Sequence, residues 1–179
     1  MTLPPWSAPV RLNEIARLAQ PVKLAPDAEA RARIAKALDL VDLPRLEGEV
    51  RLRPWMDGVE LEGEWNADVV YRCGVTVEPF DAALSGRFSV RAVPPDSPHA
   101  RLAEEADEIE IDLDADDPPD VLEGEAVDLG AYLVEHLALE LEPFPRKPGA
   151  VFEPPPPENP ESPFAVLRRL KPEGQDDKG

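Results

Sequence analysis

The sequence predicts an α+β fold with a mainly antiparallel β-sheet or small open barrel, two main helices and a proline-rich C-terminal arm. Three patterns indicate this class. Apolar and charged side chains alternate through much of residues 49–113, which is typical of half-buried strands. Residues 28–40 and 129–141 instead carry apolar side chains at helical spacing. The strand segments follow one another with short connections, which favours an antiparallel meander over a parallel sheet.

The N-terminal 26 residues alternate prolines with short apolar pieces. Three of their apolar residues fit either the start of a strand or an arm packed on the domain, namely Val10, Leu12 and Ile15. Asp27 is a good N-cap for the first predicted helix, Ala28 to Leu40, which is rich in Ala, Arg, Glu and Lys. We therefore predict an N-terminal arm over residues 1–26, followed by an amphipathic helix.

The middle of the chain predicts a β-hairpin and further strands. Residues 49–55 and 59–65 alternate apolar and charged side chains on either side of Met56-Asp57-Gly58, whose composition is typical of a tight turn. The same reasoning predicts additional strand-forming segments at residues 69–77, 84–93 and 108–113.

The C-terminal part contains a second helix and then a spacer. Asp128 is an N-cap for Leu129 to Leu141, in which Leu recurs every four residues. Residues 143–163 hold 9 of the 23 prolines, which predicts an extended, solvated linker before a short basic amphipathic segment. We thus predict one domain over 27–145, containing an acidic segment 104–128, and a linker with a basic segment over 146–179.

Composition restricts the function classes. The 179 residues fit one domain, and the single cysteine, Cys73, excludes an internal disulfide and a thiolate-cluster metal site. No apolar run approaches the roughly 18 residues of a membrane span, and no secretory signal is visible at the N-terminus. We therefore expect a cytoplasmic protein without a membrane partner.

The negative charge is concentrated in one block. The net charge is −18, yet residues 1–101 carry 13 basic and 15 acidic side chains, which nearly cancel. Between Arg101 and Arg146 lie 16 acidic residues and no Lys or Arg. Such a block indicates a basic partner, or simply a solvated acidic surface, with about equal weight.

No motif in the sequence points to catalysis or to a cofactor. Asp112, Asp114, Asp116 and Glu123 have the spacing of an EF-hand calcium loop, but Asp117 occupies the position that needs Gly, and two prolines follow. An acidic turn explains these residues better. The two histidines lack metal-protease spacing, and the glycines form no phosphate-binding loop. We expect no enzyme activity and no cofactor.

A direct contact with RNA is the alternative function. Arg51, Arg53, Arg87 and Arg91 lie in the predicted sheet and could follow an RNA backbone, with Trp55 or Trp65 as a stacking platform. Glu60, Glu62 and Glu64 belong on the same face, so cross-strand ion pairs are the simpler account of these arginines.

Three segments together resemble the YceD family, the large ribosomal RNA subunit accumulation proteins. The first is Cys73-Gly74-Val75-Thr76-Val77-Glu78-Pro79-Phe80, in which Cys73, Thr76, Pro79 and Phe80 are the motif residues. The second is the helix from Asp128 to Leu141 with the residues up to Pro145, and the third is Pro163 to Lys171. Because the three segments occur in this order, the resemblance extends over most of the chain from about residue 50.

The resemblance implies a cytoplasmic, non-catalytic factor for the synthesis, processing or accumulation of 23S ribosomal RNA. Its implied partner is a basic large-subunit ribosomal protein or a pre-ribosomal particle, with 23S rRNA itself as a further candidate. Many relatives carry Cys-x-x-Cys at the first motif, which hints at a metal, but here Thr76 replaces the second cysteine. Our candidate partner-binding residues are Asp112, Asp114, Asp116, Asp117, Glu123, Phe164, Leu167, Arg168, Leu170 and Lys171.

Overall fold

Three long antiparallel strands form the centre of the structure. The computed structural model describes residues 4–18, 20–100 and 118–152. In chain order its elements are β1 (Pro9–Arg11), α1 (Leu12–Ile15), β2 (Val22–Leu24), α2 (Ala28–Ala37), β3 (Asp42–Trp55), β4 (Gly58–Arg72), β5 (Pro79–Val93), β6 (Asp120–Val121), β7 (Ala126–Asp128) and α3 (Leu129–Glu140).

The main sheet is open and has the strand order β2-β3-β4-β5-β6. The strands from β2 to β5 are antiparallel neighbours in sequence order, which confirms the predicted α+β class with a mainly antiparallel sheet. The two-residue strand β6 is parallel to β5 and forms one edge, a pairing that the sequence pattern did not predict. A second, two-stranded sheet pairs β1 with β7.

The predicted hairpin is confirmed in detail. Trp55 pairs with Gly58, so the β3–β4 loop consists of Met56 and Asp57 alone. Met56 has a φ of 53°, in the left-handed region that short hairpin loops use because it matches the twist of the flanking strands. The alternation of apolar and charged side chains in residues 49–55 therefore ends at this turn. The geometry of the turn fixes the register of β3 and β4.

The inner face of the sheet is packed by large residues set opposite glycines. Gly63 pairs with Phe88 and Gly86 pairs with Trp65, so each aromatic ring occupies the space above a glycine on the neighbouring strand. A Cβ atom at Gly86 would lie 2.6 Å from Cζ2 of Trp65, and one at Gly63 would lie 2.3 Å from Cζ of Phe88. The inner face is thus closely packed because each of these aromatic side chains lies opposite a glycine, which has no side chain.

Both predicted helices are present, with aspartate caps. The Asp27 side chain accepts a hydrogen bond from the Ala30 N–H, and α2 ends at Ala37, earlier than the predicted Leu40. The chain leaves the helix through Asp39, whose φ is 55°. Helix α3 buries its leucines at every fourth position on the inner face of the sheet, and these are Leu129, Leu133 and Leu137.

The N-terminal residues are built into the two sheets. Val10 of β1 pairs with Val127 of β7, and Val22 of β2 pairs with Val50 of β3. The question whether Val10 begins a strand is thereby answered, since it lies in β1. The strand predicted at 108–113 and the basic segment after residue 163 lie outside the described residues. Among the helices of the described ranges, none is long and apolar enough to cross a membrane.

Candidate functional site

Three arginines on the outer face of the sheet are paired with glutamates of the neighbouring strand. Arg53 approaches Glu62 at 3.4 Å, Arg91 approaches Glu60 at 3.2 Å, and Arg87 approaches Glu64 at 3.9 Å. The simpler of the two accounts, cross-strand ion pairing, is therefore confirmed for these three arginines. Ion pairs at the protein surface contribute little to stability, but each of these glutamates offsets the positive charge of its arginine.

The two candidate stacking tryptophans differ in position. Trp55 lies at the end of β3, with the guanidinium carbon of Arg91 5.4 Å from the ring centroid, a cation–π arrangement. Trp65 lies on the inner face and is only 1% exposed, so its assignment as a stacking platform is wrong. The alternation that placed Trp65 among the apolar residues of β4 already indicated an inward position.

The motif residues Cys73 and Thr76 form a tight loop between β4 and β5. The Cys73 N–H donates to the Glu78 carbonyl at 2.9 Å, and the Val77 N–H donates to the Cys73 carbonyl at 2.9 Å. Strand β4 thus ends at Arg72, before the predicted end of the strand-forming segment at Val77. Pro79 and Phe80 are the first residues of β5, where Phe80 packs against Tyr71 with 5.6 Å between ring centroids.

A segment after α3 fastens this loop. The Gly74 N–H donates to the Pro145 carbonyl at 2.9 Å, and Lys147 Nζ forms an ion pair with Glu78 at 2.9 Å. The Lys147 N–H also points at the sulfur of Cys73, 3.4 Å away. The first and second family-like segments of the sequence are therefore in direct contact.

The Cys73 sulfur is the acceptor at the centre of the loop. The side chain is buried, and besides the Lys147 N–H its Sγ accepts the N–H groups of Val75 and Thr76, each at 3.4 Å. Hydrogen bonding from the Thr76 side chain, followed by the backbone N–H groups of Thr76 and Lys147, lowers the pKa of Cys73 to about 6, against the opposing effect of burial.

This loop does not fit a zinc site. Zinc in proteins takes four ligands drawn mainly from Cys and His, and the loop offers one sulfur, already surrounded by N–H donors. Thr76 stands where a second thiolate would be needed. Within the described ranges no group of three His, Cys, Asp or Glu side chains is placed to hold a metal ion. Asp112, Asp114, Asp116 and Asp117 lie outside those ranges, so their EF-hand spacing stays untested.

The described part of the acidic block presents its carboxylates to solvent. Residues 118–142 contain seven acidic side chains, of which only Asp128 is half-buried while the others, including Glu123, are exposed. Asp128 differs because it caps α3 and also accepts hydrogen bonds from Ser7 Oγ at 2.6 Å and the Ala8 N–H at 2.8 Å. Phe164, Leu167, Arg168, Leu170 and Lys171 lie outside the described residues, and their assignment stays a prediction.

An open groove runs along β6 and the first half of α3. It has a volume of about 820 Å³, and its walls include Val121, Glu123, Tyr132 and Glu135. The Tyr132 hydroxyl donates to Asp120 Oδ2 at 2.8 Å. Burial, and then the Asp120 carboxylate, raise the pKa of Tyr132 well above its ordinary value, so the hydroxyl keeps its proton at physiological pH.

Of the groove's walls the sequence identified only Glu123, a candidate partner-binding residue, because residues 4–7 and residues 120–135 meet only in the folded protein. An available signal was Val121, an apolar residue between Asp120 and Glu123 in the acidic block, and in the structure it is 45% exposed although it lies in a strand.

Comparison with protein families decides the affiliation. A family model described as large ribosomal RNA subunit accumulation protein YceD matches residues 61–171, more than half of the 179 residues. The chain belongs to the YceD family. The YceD match begins in β4, spans the motif loop, the groove walls from residues 120–135 and α3, and continues through the basic segment that ends at Lys171.

The YceD affiliation confirms the resemblance seen in the three sequence segments. The family's name implies a role in the accumulation of large-subunit ribosomal RNA. No curated protein and no solved structure matches the chain.

Proposed function

We propose that this protein is a non-catalytic, cytoplasmic accessory factor in the biogenesis of the large ribosomal subunit. It supports the synthesis, processing or accumulation of 23S rRNA by binding a basic large-subunit ribosomal protein or a pre-ribosomal particle. The proposal rests on the YceD affiliation together with the acidic surface.

The observation that carries the partner assignment is the exposure of the acidic block. Six of the seven acidic side chains in residues 118–142 point into solvent, and no Lys or Arg in this stretch neutralises them. A surface of one sign raises the association rate of a partner of the opposite sign and suppresses contact with phosphate backbones. The block therefore favours a basic protein over naked RNA as the direct partner.

The test is purification of the tagged, full-length chain from cells that express it naturally. We expect large-subunit ribosomal proteins or 23S precursors to co-purify at low salt and to be lost steeply as the salt concentration rises. Cells depleted of the protein should have a lower ratio of 23S to 16S rRNA than undepleted cells. Complexes that hold neither large-subunit proteins nor rRNA precursors would show that the proposal is wrong.

A second candidate function is direct RNA binding by the outer face of the sheet. It is favoured by the placement of Arg51, Arg53, Arg87 and Arg91 on one face, and by Arg91 over the Trp55 ring. The glutamate partners of three of these arginines weigh against it, because RNA phosphates would have to displace them.

Gel-shift titration of a 23S fragment tests this candidate. If the sheet binds RNA, R51A/R91A should abolish a salt-dependent shift, because each arginine lost removes a phosphate contact. The control R33A/K36A removes the same charge from α2 and should leave the shift unchanged. Equal losses in the two variants would instead indicate a nonspecific charge effect.

A further inference from the structure

We propose that the groove between β6 and α3 binds an extended basic segment of the partner, one in which apolar side chains alternate with Lys or Arg. This inference rests on the proposed function, which assigns a basic protein partner to the acidic block, and it names the site and the chemistry of the segment bound.

The groove has an apolar wall beneath an acidic rim. Val121, Ala131 and the ring of Tyr132 supply apolar surface, while Glu123 and Glu135 are exposed carboxylates on the same opening. No Lys or Arg lines the groove within the described residues. A ligand that fills it must therefore contribute positive charge at the rim and apolar groups at the wall.

The open edge of the sheet argues for an extended chain in particular. Strand β6 is the last strand of the five-stranded sheet, and in the described ranges no further strand pairs with its outer side. The backbone of an edge strand can accept another strand, and a partner bound in this way places alternate side chains toward the wall and toward the solvent. An alternating apolar and basic pattern matches both surfaces at once.

The hydrogen bond from Tyr132 to Asp120 stabilises this edge. Asp120 is the first residue of β6, and the Leu122 N–H that follows the strand donates to the Val93 carbonyl at 2.8 Å. The two residues of β6 are thus held at both ends by α3 and β5. A short edge held in this way is ordered before a partner arrives, which lowers the entropic cost of binding.

The first test uses short fluorescein-labelled peptides and the purified full-length chain. We expect a peptide of alternating Lys and Val to bind with an affinity that falls with salt. A Lys–Ser peptide of the same length should bind about tenfold more weakly because it lacks the apolar contribution. A Glu–Val peptide should not bind. Equal binding of the Lys–Val and Lys–Ser peptides would overturn the assignment of the groove.

The second test locates the peptide by charge reversal and by NMR. E123K/E135K should weaken binding of the Lys–Val peptide about tenfold. The control E47K/D81K makes the same change in net charge on the outer face. Its affinity for the Lys–Val peptide should stay within about twofold of the wild-type value. Backbone amide signals of Val121, Glu123 and Ala131 should shift on titration. Shifts confined to the outer face, or equal losses in both variants, would overturn the proposal.

Other occupants of the groove give different results. If the chain's own C-terminal segment fills it, R168E/R169E/K171E will tighten binding of the peptide. If a second copy fills it, the groove signals will shift on dilution of the protein alone. Either result would overturn an assignment to a partner segment.

Failure of this inference is separable from failure of the proposed function. Equal co-purification of large-subunit proteins with the wild type and with E123K/E135K would refute the groove and leave the accessory-factor role standing. Conversely, peptide binding in the groove without any co-purifying large-subunit component would refute the role in ribosome biogenesis and leave the groove assignment standing.

Discussion

The chemistry of Cys73 is set by its neighbours in the motif loop. The Thr76 side chain is the largest cause of the lowered Cys73 pKa, ahead of the backbone N–H groups. We predict that the wild-type thiol titrates near pH 6, and that Thr76→Val raises its pKa toward the ordinary value while the backbone donors remain. Because the chain has one cysteine, ultraviolet absorbance of the thiolate reports this residue alone. Ser89→Ala on the outer face is the control. A wild-type thiol that titrates near pH 9 would contradict the loop geometry.

The lowered pKa of Cys73 also predicts how the stability of the fold depends on pH. The folded-state pKa of Cys73 lies below the ordinary value of 9.0, so the stabilising contribution is complete above that value and is lost as the pH falls through about 6. Relative to Cys73→Ala, the wild-type protein should therefore become more stable between pH 6 and pH 9. Urea unfolding of both proteins across this range measures the difference. A difference that does not change with pH would mean that the folded thiol has an unperturbed pKa.

Asp128 joins the N-terminal segment to the start of α3. Its carboxylate accepts the Gly130 and Ala131 N–H groups as a cap and also the Ala8 N–H and the Ser7 hydroxyl. Asp27 is a matched control because its side chain caps α2 through the Ala30 N–H. We predict that Asp128→Ala lowers the free energy of unfolding by about 2–3 kcal/mol and Asp27→Ala by about 1 kcal/mol. Equal losses in urea titrations would show that the contacts to Ser7 and Ala8 contribute nothing.

Among the elements, the three-stranded core depends on space left by glycine. Gly86→Ala would place a methyl group against the buried Trp65 ring, so strand or ring must shift, and we predict a loss of about 2 kcal/mol. Gly124→Ala is the control, since a Cβ there meets no atom within 4 Å, and it should stay within about 0.5 kcal/mol. Thermal or urea unfolding measures both. A neutral Gly86→Ala would mean that the sheet relaxes around the ring.

Local patterns predicted the elements whose own residues determine them. The alternation around Met56 predicted the hairpin, Asp27 and Asp128 predicted the helix starts, and Glu60 predicted an ion pair on the outer face. Each of these rests on residues that are close in sequence or on one repeating period.

Pairings between distant segments could not be predicted in this way. Strand β1 pairs with β7, more than a hundred residues away, and each is three residues long, too short to carry an alternation. The pairing of edge strand β6 with β5 also joins segments that are distant in sequence, and so does the contact between Lys147 and Cys73. The two strand pairings shape the groove, so of its residues the sequence identified Glu123 alone.

At the scale of the whole molecule, the net charge of −18 sets the response to salt. Ion pairs such as Arg53–Glu62 are exposed and contribute roughly 0–1 kcal/mol each, so their screening has a small effect. Repulsion within the acidic block acts in the opposite direction and over many charges. We expect screening of this repulsion to outweigh the loss of ion pairs, and we predict that the urea midpoint rises when NaCl increases from about 0.01 to about 0.5 M.

Variants identify the charges responsible. Replacing four exposed carboxylates of the block with amides, in E123Q/E125Q/E140Q/E142Q, should raise stability at low salt and reduce the increment that salt provides. The pair change R53Q/E62Q leaves the net charge unaltered and should keep that increment. A midpoint that falls with salt in the wild type, or an equal increment in both variants, would show that the repulsion is unimportant. If the prediction holds, the acidic block lowers the stability of the fold, and a basic partner that neutralises it should stabilise the protein on binding.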